Sequence, residues 1–551
     1  MKKKLLIFSL GLMGMTLQAQ NTELKKWDAN ITGVSTAKDL YLQAPVCIDA
    51  NGSTFTTGQF DHSITIGQTT LDPVANSAYL AKYLSDGTAA WAISMSGAAT
   101  ITSVATDENN NVYVAGIFTD VVVVGSTDGK TKEINGVPEN LDKTASFVAA
   151  YNANGELLSV RSFMSEADAD IAGSGLYSGQ QVFNIEHIEA SNGKVYISAI
   201  HNGDFTADNM KWEGKYLNIF DFMYDNLNSY GIFSLDAETL HNATSVAHID
   251  VAEQLQSLQM GPESLNFTVE NGNVYLCFVA NGTINYETGA KSEKITLNYN
   301  GDNGMIEHAY IVSSIKGDAV NTKVFHAEAH QESAAYNHVG DMKVEGDNLY
   351  IGGTFLKSLA FDGTITHQGG SDLFVAALDK NTLDKEWAKA CGINEGDGKY
   401  FSEKFNTMML DNGNVNVYGY VLHDQKGKKE ITAVQNLSFN NQGTSSLKET
   451  RLIGASDSKN GTTALRSINQ ETFETTISVT TTGNGIQDIP ALTTQRMGNT
   501  FFFDKATDIQ VYDLQGRMLK QDAKVTSISI EDLPQGIYIL TNGTSSLKVQ
   551  K

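Results

Sequence analysis

One phrase keeps returning along this chain, and it limits the fold more than any other feature. Residues 107–118 read DENNNVYVAGIF, a polar corner followed by a strand-like run that ends in Gly-x-aromatic. Its relatives are NGSTFTTGQF (51–60), NGKVYISAIH (192–201), NGNVYLCFVA (271–280), GDNLYIGGTF (346–355) and NGNVNVYGYV (412–421). Aligning Phe55, Tyr113, Tyr196, Tyr275, Tyr350 and Asn416 gives steps of 58 to 83 residues. A constant motif at long, unequal periods means one supersecondary unit with loops of varying length. Asn-Gly and Asp-Asn accept φ > 0 and make tight hairpin turns, and the residues that follow are rich in β-branched and aromatic types. Short apolar runs precede each corner, so each phrase reads as strand, turn, strand.

A second phrase follows the first. AYLAKYLSDGTAAWAISMSG (78–97) matches SFVAAYNANGELLSVRSF (146–163) and LFVAALDKNTLDKEWAKACG (373–392), again strand, polar turn, strand. Two hairpins per unit predict a four-stranded antiparallel sheet, repeated about six times. Six prolines in 551 residues and no long helical periodicity also favour an all-β chain. Repeated four-stranded sheets with short edges are the formula of a β-propeller. LKKWDANITG (24–33) resembles an outer strand standing alone, with Trp27 where Trp91 and Trp387 stand, and would complete the last sheet. Against that, the sixth unit already offers a fourth strand at Thr476–Thr482.

The units resemble the bacterial β-propeller repeat of the SBBP type over roughly residues 24–484. The first, second and fifth match well, and the third, fourth and sixth match in their hairpins. The resemblance implies a propeller and export, and no common chemistry. From Gly485 three apolar alternations separated by Gly- or Pro-containing turns suggest a small β-sandwich. VYDLQGR (511–517), DLPQGIYIL (532–540) and LKVQK (547–551) make this tail similar to the type A C-terminal sorting domain of the type IX secretion system. The Pro-Asn-Pro strand entry usual in that family is missing, and IPALTTQRMGNTFFF stands in its place. The resemblance implies delivery by the type IX machinery to the outer surface of a Gram-negative bacterium, or release from it.

The N-terminus has the form of a signal peptide over residues 1–19: Lys2 to Lys4, the apolar run LLIFSLGLMGMTL, then a small-residue cleavage site at Ala19. That gives three expected segments: a signal at 1–19, a propeller at 20–484 and a sorting domain at 485–551. No later apolar stretch reaches the ~18 residues of a spanning helix. With 63 acidic against 39 basic residues, a net charge of −24, the chain repels phosphate backbones, so nucleic acid and anionic membranes are poor partners. Cys47, Cys277 and Cys391 sit in strand-like apolar runs and read as buried thiols.

Three patterns carry candidate chemistry. The insertion at 207–233 concentrates Trp212, Tyr216, Phe220, Phe222, Tyr224 and Tyr230. Exposed rings of this kind stack on sugar faces, and the same rings pack a strand equally well. HAEAHQE (326–332) places His326, Glu328 and His330 on one strand face, as metal ligands or as a solvated edge. DENNN, SEADAD (165–170) and DGKTKE (128–133) are calcium-like in composition, but none has the fixed ligand order of a calcium loop. No nucleophile elbow, phosphate loop or Cys-His pairing is present, and no motif calls for a cofactor. The expectation is an exported propeller that binds a glycan or an extracellular protein through its loops. A polysaccharide hydrolase or lyase with acids converging at the channel, and a purely structural surface component, are the alternatives.

Overall fold

The computed structural model describes residues 23–32, 45–74, 77–97, 99–136, 143–166, 181–219, 223–253, 261–289, 291–297, 299–300, 305–330, 337–367, 371–392, 401–411, 414–423, 434–440, 445–448, 452–459, 461–469, 474–482, 495–513, 517–542 and 546–551. The signal read at 1–19 lies outside them. No helix occurs among the described residues, and the chain is all-β. It divides into two compact units, one of residues 24–481 and one whose described part runs from Thr482 to Lys551 apart from the last residue of the preceding segment, Glu23.

Each copy of the opening phrase becomes the second strand of a four-stranded sheet. In sheet 1 the strands are Val46–Ile48, Thr54–Phe60, Ser77–Tyr83 and Ala89–Ser96; in sheet 2, Ala99–Thr106, Val112–Phe118, Lys143–Tyr151 and Leu157–Phe163. Sheet 3 has Gln181–Ser191, Lys194–His201, Ser229–Asp236 and Thr244–Glu253, and sheet 4 has Gly261–Glu270, Asn273–Asn281, Met305–Lys316 and Ala319–His330. Sheet 5 is His338–Glu345, Asn348–Phe355, Asp372–Asp379 and Lys385–Cys391, and sheet 6 is Phe401–Asp411, Asn414–His423, Val434–Asn440 and Ser445–Lys448. Sheet 7 joins Leu452–Lys459, Thr462–Asn469 and Thr475–Thr482 to the N-terminal strand Glu23–Ile31. A short parallel pairing of Lys143 and Thr144 with Gln181 and Val182 links sheets 2 and 3.

The first strand of each sheet neighbours the first strand of the next, and Leu452–Lys459 returns to Val46–Ile48, so the seven innermost strands form a closed ring. This is β-propeller topology. Among the described residues the four-stranded sheets number seven, against the six units read from sequence. The sixth unit conflated two sheets. Val434–Asn440 and Ser445–Lys448 finish sheet 6, and Thr475–Thr482 is the third strand of sheet 7, which leaves the fourth place to Glu23–Ile31.

The corners form as their residues dictate: Asn110 takes φ 62°, Asn192 52°, and Asn271 and Gly272 52° and 78°. Asp107 closes its corner by accepting from the N–H groups of Asn109 (2.9 Å) and Asn111 (2.8 Å) and from the Tyr113 hydroxyl (2.9 Å). Asp128 likewise turns onto Lys130 and Ser126. These acids are spent on hairpin corners, as Asx turns require. Both faces of the inner strands are needed. Val112 and Val114 pack toward sheet 1, and Tyr113 and Ala115 pack toward sheet 3. Phe147 and Tyr151 are fully buried in the first of these interfaces, each side chain contributing about 2 kcal/mol by removal from water. Cys47 and Cys277 are buried and Cys391 half-buried, all as free thiols.

The C-terminal unit is one five-stranded antiparallel sheet in which Thr500–Asp513 pairs with Gln495–Met497, Met518–Ser529 and Ile537–Thr541, and Ser546–Gln550 pairs with Ile537–Thr541. Where the sequence suggested a small sandwich, the described residues form this single hydrogen-bonded sheet. Register shifts along Thr500–Asp513 bend it around a core of Phe501, Ile509, Val511, Ile528 and Leu540.

Candidate functional site

The ring of first strands encloses a channel, and irregularities in those strands give it chemistry. In five sheets the first strand carries a bulge at the same place, leaving Thr102, Glu186, Glu263, Gly340 and Asn406 without a register partner on the second strand. A bulge inserts one residue and re-aims its side chain. Thr102, Glu186, Gly340 and Asn406 all line one cavity of about 480 Å³ at the upstream end of the channel, together with Asn184, Asn266 and His338. Glu263 is spent elsewhere: its carboxylate takes the His308 Nδ1 contact at 3.1 Å, and its carbonyl accepts from Tyr230 Oη at 2.7 Å.

A second cavity of about 460 Å³ follows along the same strands, and Val46, Val104, His187 and Asp341 border both. Its polar groups are largely used to fasten one sheet to the next. Glu189 accepts from the Val269 N–H at 2.6 Å, Asp341 from Met408 N–H at 3.1 Å, and Asp457 from Ile48 N–H at 2.9 Å. Ser103 and Ser264 hydroxyls accept in the same way from Ile188 (3.0 Å) and Val339 (3.1 Å). Such bonds satisfy backbone donors that a buried strand end would otherwise leave unpaired. Lys343 stands among these acids, 3.7 Å from Asp341. Burial pulls its pKa down, but the charges of Asp341, Asp457 and Glu189 outweigh burial and leave it raised. Burial pushes Asp457 up, opposed by Lys343 and by the N–H groups of Ile48 and Ser458.

Glu186 differs from all of these. Its side chain reaches the open channel, yet the surrounding wall displaces most of the water a free carboxylate would hold, and this pushes its pKa up to about 7. The side chain is open to the channel and crowded by the wall around it, and the crowding penalises the charged form. Among the described residues its carboxylate has no hydrogen-bond partner. The carbonyl oxygen of the buried Asn406 side chain also lacks one. A carboxyl near its titration point, in a recess lined also by Thr102, Asn184 and Asn406, suits hydroxyl groups that both donate and accept.

Two of the six insertion aromatics belong to the core. Trp212 and Tyr230 are buried, 4% and 6% exposed. Trp212 stacks on His201 (5.4 Å, 23°) and His248 (5.0 Å, 20°), and its indole N–H donates to Ser245 Oγ at 3.0 Å. Gly231 makes this fit: a Cβ there would lie 2.3 Å from the Trp212 ring. Beneath the ring, His201 Nδ1 bonds the Gly203 carbonyl at 2.8 Å and His201 Nε2 meets His248 Nε2 at 2.9 Å, so both imidazoles are held neutral. Tyr216 is half-buried, Tyr224 lies in the strand Met223–Leu227, and Phe220 and Phe222 fall outside the described residues.

His326 and Glu328 do share an exposed strand face, but His326 pairs with Glu307 at 2.6 Å and Glu328 accepts from Ser358 at 3.0 Å. The His330 side chain lies outside the described residues. Among the described residues no group of three His, Cys, Asp or Glu side chains is placed to hold a metal. Sequence patterns missed Glu186 and Asn406 because they are 220 positions apart on strands with unrelated local text; the one shared signal is a polar residue breaking an apolar first strand.

Residues 495–551 match the family described as secretion system C-terminal sorting domain, which marks the chain as exported, to the cell surface or beyond. No curated protein matches the chain. Among solved structures it is similar to the Dos1 propeller (10% identity, 84% of this chain and 96% of that one, TM-score 0.37). It is also similar to the β-propeller domain of the Trilobed protease from Pyrococcus furiosus (8% identity, 82% and 95%, TM-score 0.36). An exo-1,5-alpha-L-arabinanase from a bovine ruminal metagenomic library aligns at 8% identity over 61% and 95%, TM-score 0.21.

Proposed function

We propose that this is a non-enzymatic binding protein of the outer surface of a Gram-negative bacterium, delivered by the type IX machinery through its C-terminal domain, with the upstream half of the channel as its ligand site. The seven sheets act as blades of SBBP type that hold the site rigid. The ligand is the end of a neutral glycan. Support comes chiefly from one observation: Glu186 presents its carboxyl to a 480 Å³ recess, which Asn406 also lines, and spends it on no bond of the fold. Neutrality of the ligand follows from the net charge of −24, which disfavours polyanions. Trp212 and Tyr230 are left out of the site, because they are core residues.

A second reading rests on the same carboxyl. A pKa near 7 is what a general acid of a glycosidase needs, with another channel acid as its partner. The test is a glycan array probed with the purified full chain, with products checked by mass. Saturable binding of neutral oligosaccharides without new products supports the binding protein. Release of shorter products makes it a hydrolase. A silent array with binding to an extracellular protein instead rejects the glycan.

A further inference from the structure

The seam where sheet 7 meets sheet 1 closes the ring, and its polar groups do not balance. Arg466, on the second strand of sheet 7, is 2% exposed and ranks among the largest fully buried side chains. Its strand partners are Ala455 and Ile477, which offer it no side-chain acceptor. Across the seam it meets sheet 1 at Gly58 and Tyr79, themselves register partners. A Cβ on Gly58 would lie 2.8 Å from Tyr79 Oη and 2.9 Å from Arg466 Nη2, so phenol and guanidinium converge over the bare Cα.

Neither group has a partner there. Arg466 Nε and Tyr79 Oη are buried without hydrogen bonds, and among the described residues no ion pair holds the guanidinium. The shortage extends along the seam. Thr56 lies two residues from Gly58 on the same strand face, Thr475 lies two residues from Ile477, and Trp27 is on the N-terminal strand. Thr56 Oγ1, Thr475 Oγ1 and Trp27 Nε1 are all buried and unpartnered. Guanidinium and indole nitrogens donate only, and hydroxyls can turn to donate. Those hydroxyls can also accept, but no carboxylate stands among these groups, and a buried guanidinium needs a negative charge.

We propose that the seam binds a small inorganic anion of chloride size, held by the Arg466 guanidinium and the Tyr79 hydroxyl. At 2% exposure the arginine leaves no path for an organic tail, which selects a monatomic ion. The ion ties the last sheet to the first, so occupancy stabilises ring closure by mass action.

The experiment uses the full chain. Thermal unfolding is followed as sodium chloride or bromide replaces sodium gluconate at constant ionic strength, which holds screening fixed. The midpoint rises with halide in the native chain. The halide dependence weakens about tenfold in apparent affinity in Tyr79→Phe and vanishes in Arg466→Met. Crystals grown in bromide give an anomalous peak beside Arg466, a readout that stands even if Arg466→Met does not fold. A native midpoint indifferent to halide, a halide dependence retained in Arg466→Met, or an acid of this chain seated on Arg466 in place of bromide each overturns the proposal.

Discussion

Asp457 and Glu186 stand in the wall of the same channel and have been put to different uses. Asp457 accepts from the N–H groups of Ile48 and Ser458 and faces Lys343, so it fastens the last sheet to the first and offsets a buried charge. Glu186 sits on a bulge, fastens nothing, and carries a pKa near 7 because the wall crowds it. A carboxylate engaged with backbone donors stabilises the ring whatever the solvent holds. One left unengaged in a crowded recess costs the fold desolvation and regains it only when a ligand arrives. The difference separates structural from functional polarity without reference to any relative.

The sharpest attempt to break this division is Trp212→Ala. If Trp212 is core, the change destabilises by about 4 kcal/mol, read as a shift of the urea midpoint; a negligible shift with lost glycan binding would return the insertion to the site. Asp457→Ala comes next. Leaving Lys343 and the Ile48 N–H short of a partner costs about 3 kcal/mol in the same assay, and an effect within error would mean the inter-sheet bonds do not hold the ring.

Acid should act on the two classes with opposite sign. Burial lowers His201 to about 4 and pushes His248 below the usual histidine range, so both stay neutral when folded. Between an unfolded value of ~6.5 and about 4, the unfolded chain binds more protons, and stability falls as pH falls, by about 3 kcal/mol for His201. Asp204, Asp250 and Lys215 are the charged neighbours that face this pair. Glu186, raised to about 7, works the other way: stability is lost as pH rises from ~4.5 through 7, and less steeply because the group meets the channel water. Urea midpoints of native chain and His201→Phe across pH 4 to 7 separate the two, since the variant removes only the loss on the acid side.

The hairpins were legible because their corners are chemical: Asp107, Asn110 and Asn111 write a turn in any context. Buried strands that alternate between two neighbouring sheets, as Val112 and Tyr113 do, also announce themselves by β-branched and aromatic content. The division of the sixth unit into two sheets did not, since VQNLSFN and SSLK, which finish sheet 6, are too polar and short to signal strands alone, and the outer place of Glu23–Ile31 in sheet 7 depends on a pairing across nearly the whole chain. Trp212 misled for a related reason. An aromatic-rich insertion looks the same whether its rings face water or cover a glycine such as Gly231, and only the fold distinguishes the two. The channel site was illegible because bulges are register events, and register belongs to pairs of strands.

The most direct test of the channel assignment is the neutral-glycan array repeated with Glu186→Ala and Asn406→Ala beside the native full chain, with urea midpoints measured on the same samples. The account predicts saturable native binding that falls at least about tenfold in each variant while the midpoints move by less than about 1 kcal/mol. Undiminished binding in both variants, or losses matched by unfolding, would contradict it.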